Sequence, residues 1–243
     1  MNAAFLHPLR YWRWQRARRR LGGNWPSAAL PVEAAPLLAI DLEMTGLDPV
    51  RDEIISIGWV PINAGAIDLG GAQDHRLARS ERDTVGDSAT IHGLRDCDLA
   101  DAKSPDVALR ALIAALDGRV AVFHHAPLDL AFLQRALASS LRTAWPVPVI
   151  DTLAWHRRRM RMSGTEHAHG NASTLEAACR RLGLVARSQH DALADALSCA
   201  ELALALARLG HARLIEVAQP PRSGFHSVRS QGSAAFGPGG IQP

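Results

Sequence analysis

Cysteine is scarce in this chain of 243 residues. The three present, Cys97, Cys179 and Cys199, show neither CxxC spacing nor an even set. That argues against a disulfide framework or a zinc site and fits a reducing compartment. All three lie in apolar surroundings and read as packing residues. No run reaches the roughly 18 consecutive apolar residues of a membrane span. The basic residues near the N-terminus are not followed by an apolar stretch of the signal-peptide kind. No membrane span and a cytoplasmic location are therefore expected. Lysine is limited to Lys103, so positive charge is carried by arginine. Asp and Glu are missing from residues 1–32, which hold Arg10, Arg13, Arg16, Arg18, Arg19 and Arg20. The net charge of the whole chain is only +3, so the body is slightly acidic and a basic arm is attached to it.

What is present is organised around that body. The arm, His7 to Leu21, can form a short helix, although Leu9, Tyr11, Trp12 and Trp14 make no clean stripe. It could dock on the body, on nucleic acid, on a partner or on an anionic membrane surface. A second basic cluster, Arg157 to Arg159 with Arg161, lies inside the body. Both clusters are candidate phosphate contacts with a solvated face as the competing reading, and for the arm the two weigh equally. Residues 22–36 carry Gly and Pro breakers and read as a linker.

Leu37 to Glu43 is a short apolar run of the buried-strand kind, and Glu53 to Ile62 is a second strand. Ala64-Gly65 is a hairpin turn into a third, around Ala66 to Leu69. From Ser104 onward, helices and strands alternate: helix 104–117, strand 120–125, helix 128–140, strand 147–150, helix 152–162, helix 173–182 and helix 191–209. A meander followed by alternation predicts an α/β fold with a mixed five-stranded sheet flanked by helices. The expected organisation is a basic arm and linker over 1–35, the main domain over 36–210 and a flexible tail over 211–243. The Pro-, Gly- and Ser-rich part from Gln219 is expected to be disordered.

Asp41 and Glu43 are two residues apart on a strand, so both side chains lie on one face while Leu42 points to the other. They sit at the strand's C-terminal end, where α/β sheets commonly place their sites. Two adjacent carboxylates repel each other, and a hard divalent cation relieves that repulsion. Two solvated acids at an exposed strand end are the competing reading. Asp129, at a helix start, could be only an N-cap. Asp195, inside the last helix, would be costly facing inward without a partner. Asp191 shares its helical face, but its place at the helix start suits capping.

The surrounding residues carry a resemblance. AIDLEMTGLD around Asp41 and Glu43, HHAPLDLAFL around Asp129 and HDALADA from His190 resemble, in order, the three motifs of the DnaQ-like exonucleases, the DEDDh group of the DEDD superfamily. Ile91-His92-Gly93-Leu94 and Asp151-Thr152-Leu153 match two further elements, and the resemblance covers about residues 36–209. It implies an RNase H-like fold, with Asp41, Glu43, Asp129 and Asp195 binding two Mg²⁺ or Mn²⁺ ions and His190 as general base. Secondary candidates for substrate contact are Thr45, Leu47, His92, His125 and Phe132, with core packing an equal reading for Phe132. Leu42, Met44, His125 and Leu128 depart from the usual motif residues, at positions bearing on substrate rather than on metal.

The resemblance therefore implies a 3′–5′ exonuclease that releases nucleoside 5′-monophosphates from single-stranded DNA ends, in proofreading or repair. The first motif leans instead towards an RNA 3′-exonuclease of the oligoribonuclease or RNase T kind. A polymerase-associated nucleic-acid-binding subunit is the non-enzymatic alternative. Expected partners are a single-stranded DNA or RNA 3′ end and a DNA polymerase subunit, and a homodimer is compatible with RNase T-like relatives.

Overall fold

The computed structural model describes residues 7–78, 103–164, 174–185, 187 and 190–221. Helix α1 (Pro8–Leu21) opens it, with proline in the first turn, where a missing N–H costs nothing. Strands β1 (Leu37–Met44), β2 (Ile54–Asn63), β3 (Ala66–Ile67) and β4 (Gln73–Arg76) follow. After them come α2 (Pro105–Ala115), β5 (Val120–Phe123), α3 (Ala126–Ala136), β6 (Val149–Asp151) and α4 (Thr152–Met162). The described chain ends with α5 (Leu175–Arg181), α6 (Ala192–Gly210), α7 (Leu214–Val217) and β7 (Ala218–Gln219). Among the described residues, no helix is long and apolar enough to cross a membrane.

The strands form one mixed sheet in the order β3-β2-β1-β5-β6-β7, with β4 also on β2. β1 and β2 pair antiparallel, β1, β5 and β6 run parallel, and β7 closes the far edge antiparallel. The β2–β3 hairpin turns through Ala64 (φ 48°) and Gly65 (φ 77°), the consecutive left-handed pair that a tight hairpin needs.

The sheet has seven strands rather than the expected five. The two additions, β4 and β7, are short. β4 reads Gln-Asp-His-Arg and buries only His75, so it has no apolar alternation to betray it. β7 is two residues long and exists because Ile150 offers Ala218 a free edge.

Alternating burial divides the core. Leu37 and Ala39 pack on the α6 side of the sheet, while Leu38, Ile40 and Leu42 pack against α2 and α3 on the other. Asp41 and Glu43 continue the first parity and so face α6.

The N-terminal stretch differs from the linker expectation. Trp14, Trp25, Ala28, Val32 and Ala35 are all buried in the α6-side core. Gly and Pro break helix there, but the apolar residues between them have somewhere to pack. The segment read as tail likewise begins inside the fold: Leu214, Ile215 and Ala218 are buried. Backbone bonds from Leu214 N–H to Leu30 C=O and from Ile215 N–H to Ala28 C=O, each 2.9 Å, tie the two ends of the chain together. Residues 222–243 lie outside the described residues.

Candidate active site

β1 is the scaffold of the site. Its period-2 geometry puts Asp41 and Glu43 side by side on the face covered by α6, and the first turn of α6 supplies Asp195. Oxygens of these three carboxylates lie within 4.8 Å of one another. The approach depends on Gly58, which pairs with Asp41 across the β1–β2 ladder. A Cβ on Gly58 would stand 2.3 Å from the backbone carbon of Ala192 and 2.4 Å from Leu193 N. The helix start thus rests directly on the sheet backbone, and only glycine leaves room for it.

Asp191 and Asp195 divide the work at the start of α6. Asp191 is the N-cap, its Oδ1 accepting from Ala194 N–H at 2.8 Å. Asp195, one turn on, accepts from His190 N–H at 3.1 Å through Oδ2. His190 is exposed and holds a left-handed backbone (φ 72°), an uncommon conformation for a residue with a side chain. That conformation turns its N–H back onto Asp195.

Asp129 comes from the other side of the ladder, in the first turn of α3. It is not the N-cap; His125 holds that position, at φ 79° and without a side-chain cap. Asp129 is buried, and it is the largest like-charge influence on Asp41. Asp151 stands behind it. Its Oδ1 caps α4 by accepting from Leu153 and Ala154 N–H at 3.0 and 3.1 Å, and it also receives His125 N–H at 3.3 Å. Buried Thr152 donates to Phe123 C=O at 3.0 Å and lies 2.9 Å from His124 Nδ1, tying the end of β5 to α4.

The electrostatics follow from this crowding. Burial first, then Asp129, Asp195, Glu43 and Asp191, hold Asp41 well above the usual carboxylate range. Glu43 is pushed up to about 8 by burial, then by Asp195, Asp191 and Asp74. Burial chiefly raises Asp129, with Asp151 and Glu43 adding to it. Burial also raises Asp195, against the opposing pull of the His190 N–H and its ring. Among the described residues, no Lys or Arg forms an ion pair with any of the four. Hard oxygen donors, crowded and without a counter-charge, suit a divalent cation such as Mg²⁺ or Mn²⁺.

The substrate-contact candidates scatter. Leu47 is 75% exposed on the loop after β1. Thr45 staples that loop, its Oγ1 accepting from Glu53 N–H at 3.0 Å. His125 is exposed beside Asp129. Phe132 is buried in the core on the α2–α3 side, which is the packing reading. His92, with Ile91, Gly93 and Leu94, lies outside the described residues. Gly58 and the capping role of Asp151 were not anticipated. An isolated glycine in an apolar strand was the available signal for the first.

Fold and site together define the class: an α/β domain whose central strand gathers carboxylates able to hold divalent metal. The family profile described as exonuclease matches residues 38–203. The chain is 30% identical over 189 residues to a DNA polymerase III PolC-type protein of Thermotoga petrophila, covering 76% of this chain but only 13% of that one. It is 26% identical over 207 residues to a DNA polymerase III subunit epsilon of Haemophilus influenzae, covering 81% and 77%. Cell-death related nuclease 4 has a similar fold, with a TM-score of 0.63 at 16% identity over 75% of this chain and 65% of that one. A zinc-bound complex of E. coli ExoI with single-stranded DNA gives 0.59 at 14% identity, over 74% and 42%. The chain belongs to the exonuclease family, as a DnaQ-like member of the DEDD superfamily. That family is one of exonucleases, which are phosphodiester hydrolases.

Proposed function

We propose that the protein shortens single-stranded DNA from its 3′ end, releasing nucleoside 5′-monophosphates in proofreading or repair. The observation that carries this reading is the gathering of Asp41, Glu43 and Asp195 within 4.8 Å over the central strand. In it, these three and Asp129 would hold two divalent ions. Bound ions would supply an activated water and neutralise charge at the scissile phosphate. His190 takes the proton of the attacking water as the water oxygen bonds to phosphorus. The P–O3′ bond breaks, and the 3′ oxygen leaves with the shortened strand. In this reading Leu47 and His125, both exposed, are the residues that meet the terminal nucleotide. The relatives named as polymerase III proteins suggest a polymerase as partner.

A second reading, an RNA 3′-exonuclease, is favoured by AIDLEMTGLD, the oligoribonuclease-like stretch around Asp41. One experiment decides between them. DNA and RNA of equal sequence, labelled at the 5′ end, are incubated with protein and Mg²⁺ or Mn²⁺. A ladder shrinking from the 3′ end, faster on DNA, is expected. Faster shrinkage of RNA selects the second reading, and immediate release of the label as the 5′-terminal nucleotide, with no intermediate ladder, overturns both.

A further inference from the structure

Basic residues gather at the far end of α6 from the acids. Arg159 Nη1 donates to Leu209 C=O at 3.2 Å. Leu209 lies 14 residues beyond Asp195, roughly 20 Å along the axis at 1.5 Å per residue. Arg10 of α1 and Arg158 of α4 both donate to Glu216 C=O, at 3.0 and 3.1 Å, and Arg10 also reaches Ala218 C=O at 3.3 Å. The guanidiniums of Arg10, Arg13 and Arg158 are thereby crowded, with Glu216 as the one carboxylate acting on Arg10. A cleft of about 370 Å³ runs between α1 and the edge strand, walled by Arg10, Arg13, Trp14 and Gln219.

The outward face of α1 extends this charge. At helical spacing it presents Leu9, Trp12, Arg13, Arg16, Arg19 and Arg20, all exposed. Arg16 Cζ stands 5.1 Å from the centre of the Trp12 ring. Among the described residues, no carboxylate forms an ion pair with these four arginines. The neighbouring sequence cannot supply one, because residues 1–32 and 217–243 contain no Asp or Glu. The face is also held firmly. Trp14, fully buried, anchors its inner side, so the arginines project from a fixed helix and lose little freedom on binding.

We propose that this face is a second nucleic-acid site, which grips the phosphate backbone of the substrate strand away from the cleaved end; the proposal rests on the exonuclease reading. Arginines match phosphate geometry, and an exposed tryptophan among them offers a stacking platform for bases. A membrane surface is disfavoured. An interfacial helix needs a continuous free apolar face, and here the apolar side is spent on the core, leaving Leu9 and Trp12 interspersed with arginine. At about 3.4 Å per stacked nucleotide, roughly six nucleotides span the length of α6 from Asp195 to Leu209, so a short oligonucleotide held at the acids leaves the face unoccupied.

The test uses the full chain and the variant R13Q/R16Q/R19Q/R20Q, with circular dichroism to verify the fold. Steady-state kinetics are measured on dT4 and dT20 with Mg²⁺. Binding of fluorescent dT20 in EDTA is followed against salt. The variant should raise KM for dT20 about tenfold and leave dT4 kinetics within about twofold. Each lost phosphate contact should also flatten the slope of log K against log salt by about 0.7. Equal dT20 affinity and slope in the two proteins overturns the proposal. Loss of binding to phosphatidylserine vesicles with unchanged dT20 binding also overturns it, in favour of a membrane. Failure of both proteins to hydrolyse dT4 sinks the exonuclease reading, while the dT20 comparison in EDTA still judges the basic face.

Discussion

The two ends of α6 carry opposite charge and are built by opposite means. At its start, carboxylates that repel each other are forced together by the sheet: β1 supplies two, and Gly58 lets the helix bring a third. Near its finish, arginines are displayed on a helix that buried Trp14 and the bonds of Arg10 to Glu216 and Ala218 C=O fasten to the core. The acidic end is buried and strained by charge; the basic end is exposed and relieved by water. A fold holds groups together against their repulsion only where packing forces the geometry, so the acidic end is where stability and function should conflict.

The sharpest way to test that contrast is Asp41→Asn. Cleavage should fall by at least about 10³-fold, the scale of losing an essential catalytic group. The melting temperature in EDTA should rise, because an acid whose ionisation burial and its neighbours oppose has been replaced by a neutral amide. Activity near wild type, or a lower melting temperature in EDTA, would break the account of the acidic end. His190→Ala should lower kcat by about 10²- to 10⁴-fold, the usual contribution of a general base. Its KM should change little; a rise in KM with kcat intact would move His190 from proton transfer to substrate binding.

Trp14→Ala attacks the basic end, and truncation of a fully buried tryptophan should cost about 3–5 kcal/mol by denaturant melts. In the surviving folded protein, dT4 hydrolysis should persist while dT20 loses its advantage. Equal loss on both substrates would mean that the two ends are not separable. Gly58→Ala pushes a methyl group into the backbone of Ala192 and Leu193, so α6 must shift outward. Mn²⁺ affinity by calorimetry should drop about tenfold, which is only 1.4 kcal/mol. Unchanged affinity would show that Gly58 does not set the approach of Asp195.

The smallest effect is a dependence on pH. Glu43 has a folded pKa of about 8, above its ordinary 4.5. The stability that comes from keeping it protonated is complete below about pH 4.5 and is lost as pH rises through 8. The metal-free protein should therefore melt lower at pH 9 than at pH 6, and Glu43→Gln should flatten that slope. Metal binding displaces these protons, so stabilisation by Mn²⁺ should grow with pH over the same window. A metal-free melting temperature that climbs from pH 6 to 9 would contradict the raised Glu43.

Much of this was legible beforehand. β1, β2, β5 and α6 stood out because apolar periodicity and capping residues are local signals, as at Asp191. The acids stood out because spacing of two on a strand puts Asp41 and Glu43 on one face whatever the rest of the chain does. β4 and β7 were not legible: strands of four and two residues have too little pattern, and they form because a neighbour presents an open edge. The stretch from Gly22 to Pro36 read as a linker because its breakers are visible, whereas the core that takes Trp25 and Val32 includes residues of α6 and α7 remote in sequence.

By itself, then, the sequence determined which side chains are the candidates for the chemistry and that Asp41 and Glu43 share a face, since both follow from residue type and local period. Only the tertiary structure decided that Asp195 comes within 4.8 Å of them, that Gly58 makes the room, and that the arginine-rich arm is a helix docked beside α7 and β7. Those are distances between segments remote in sequence, and long-range packing, not local preference, sets them.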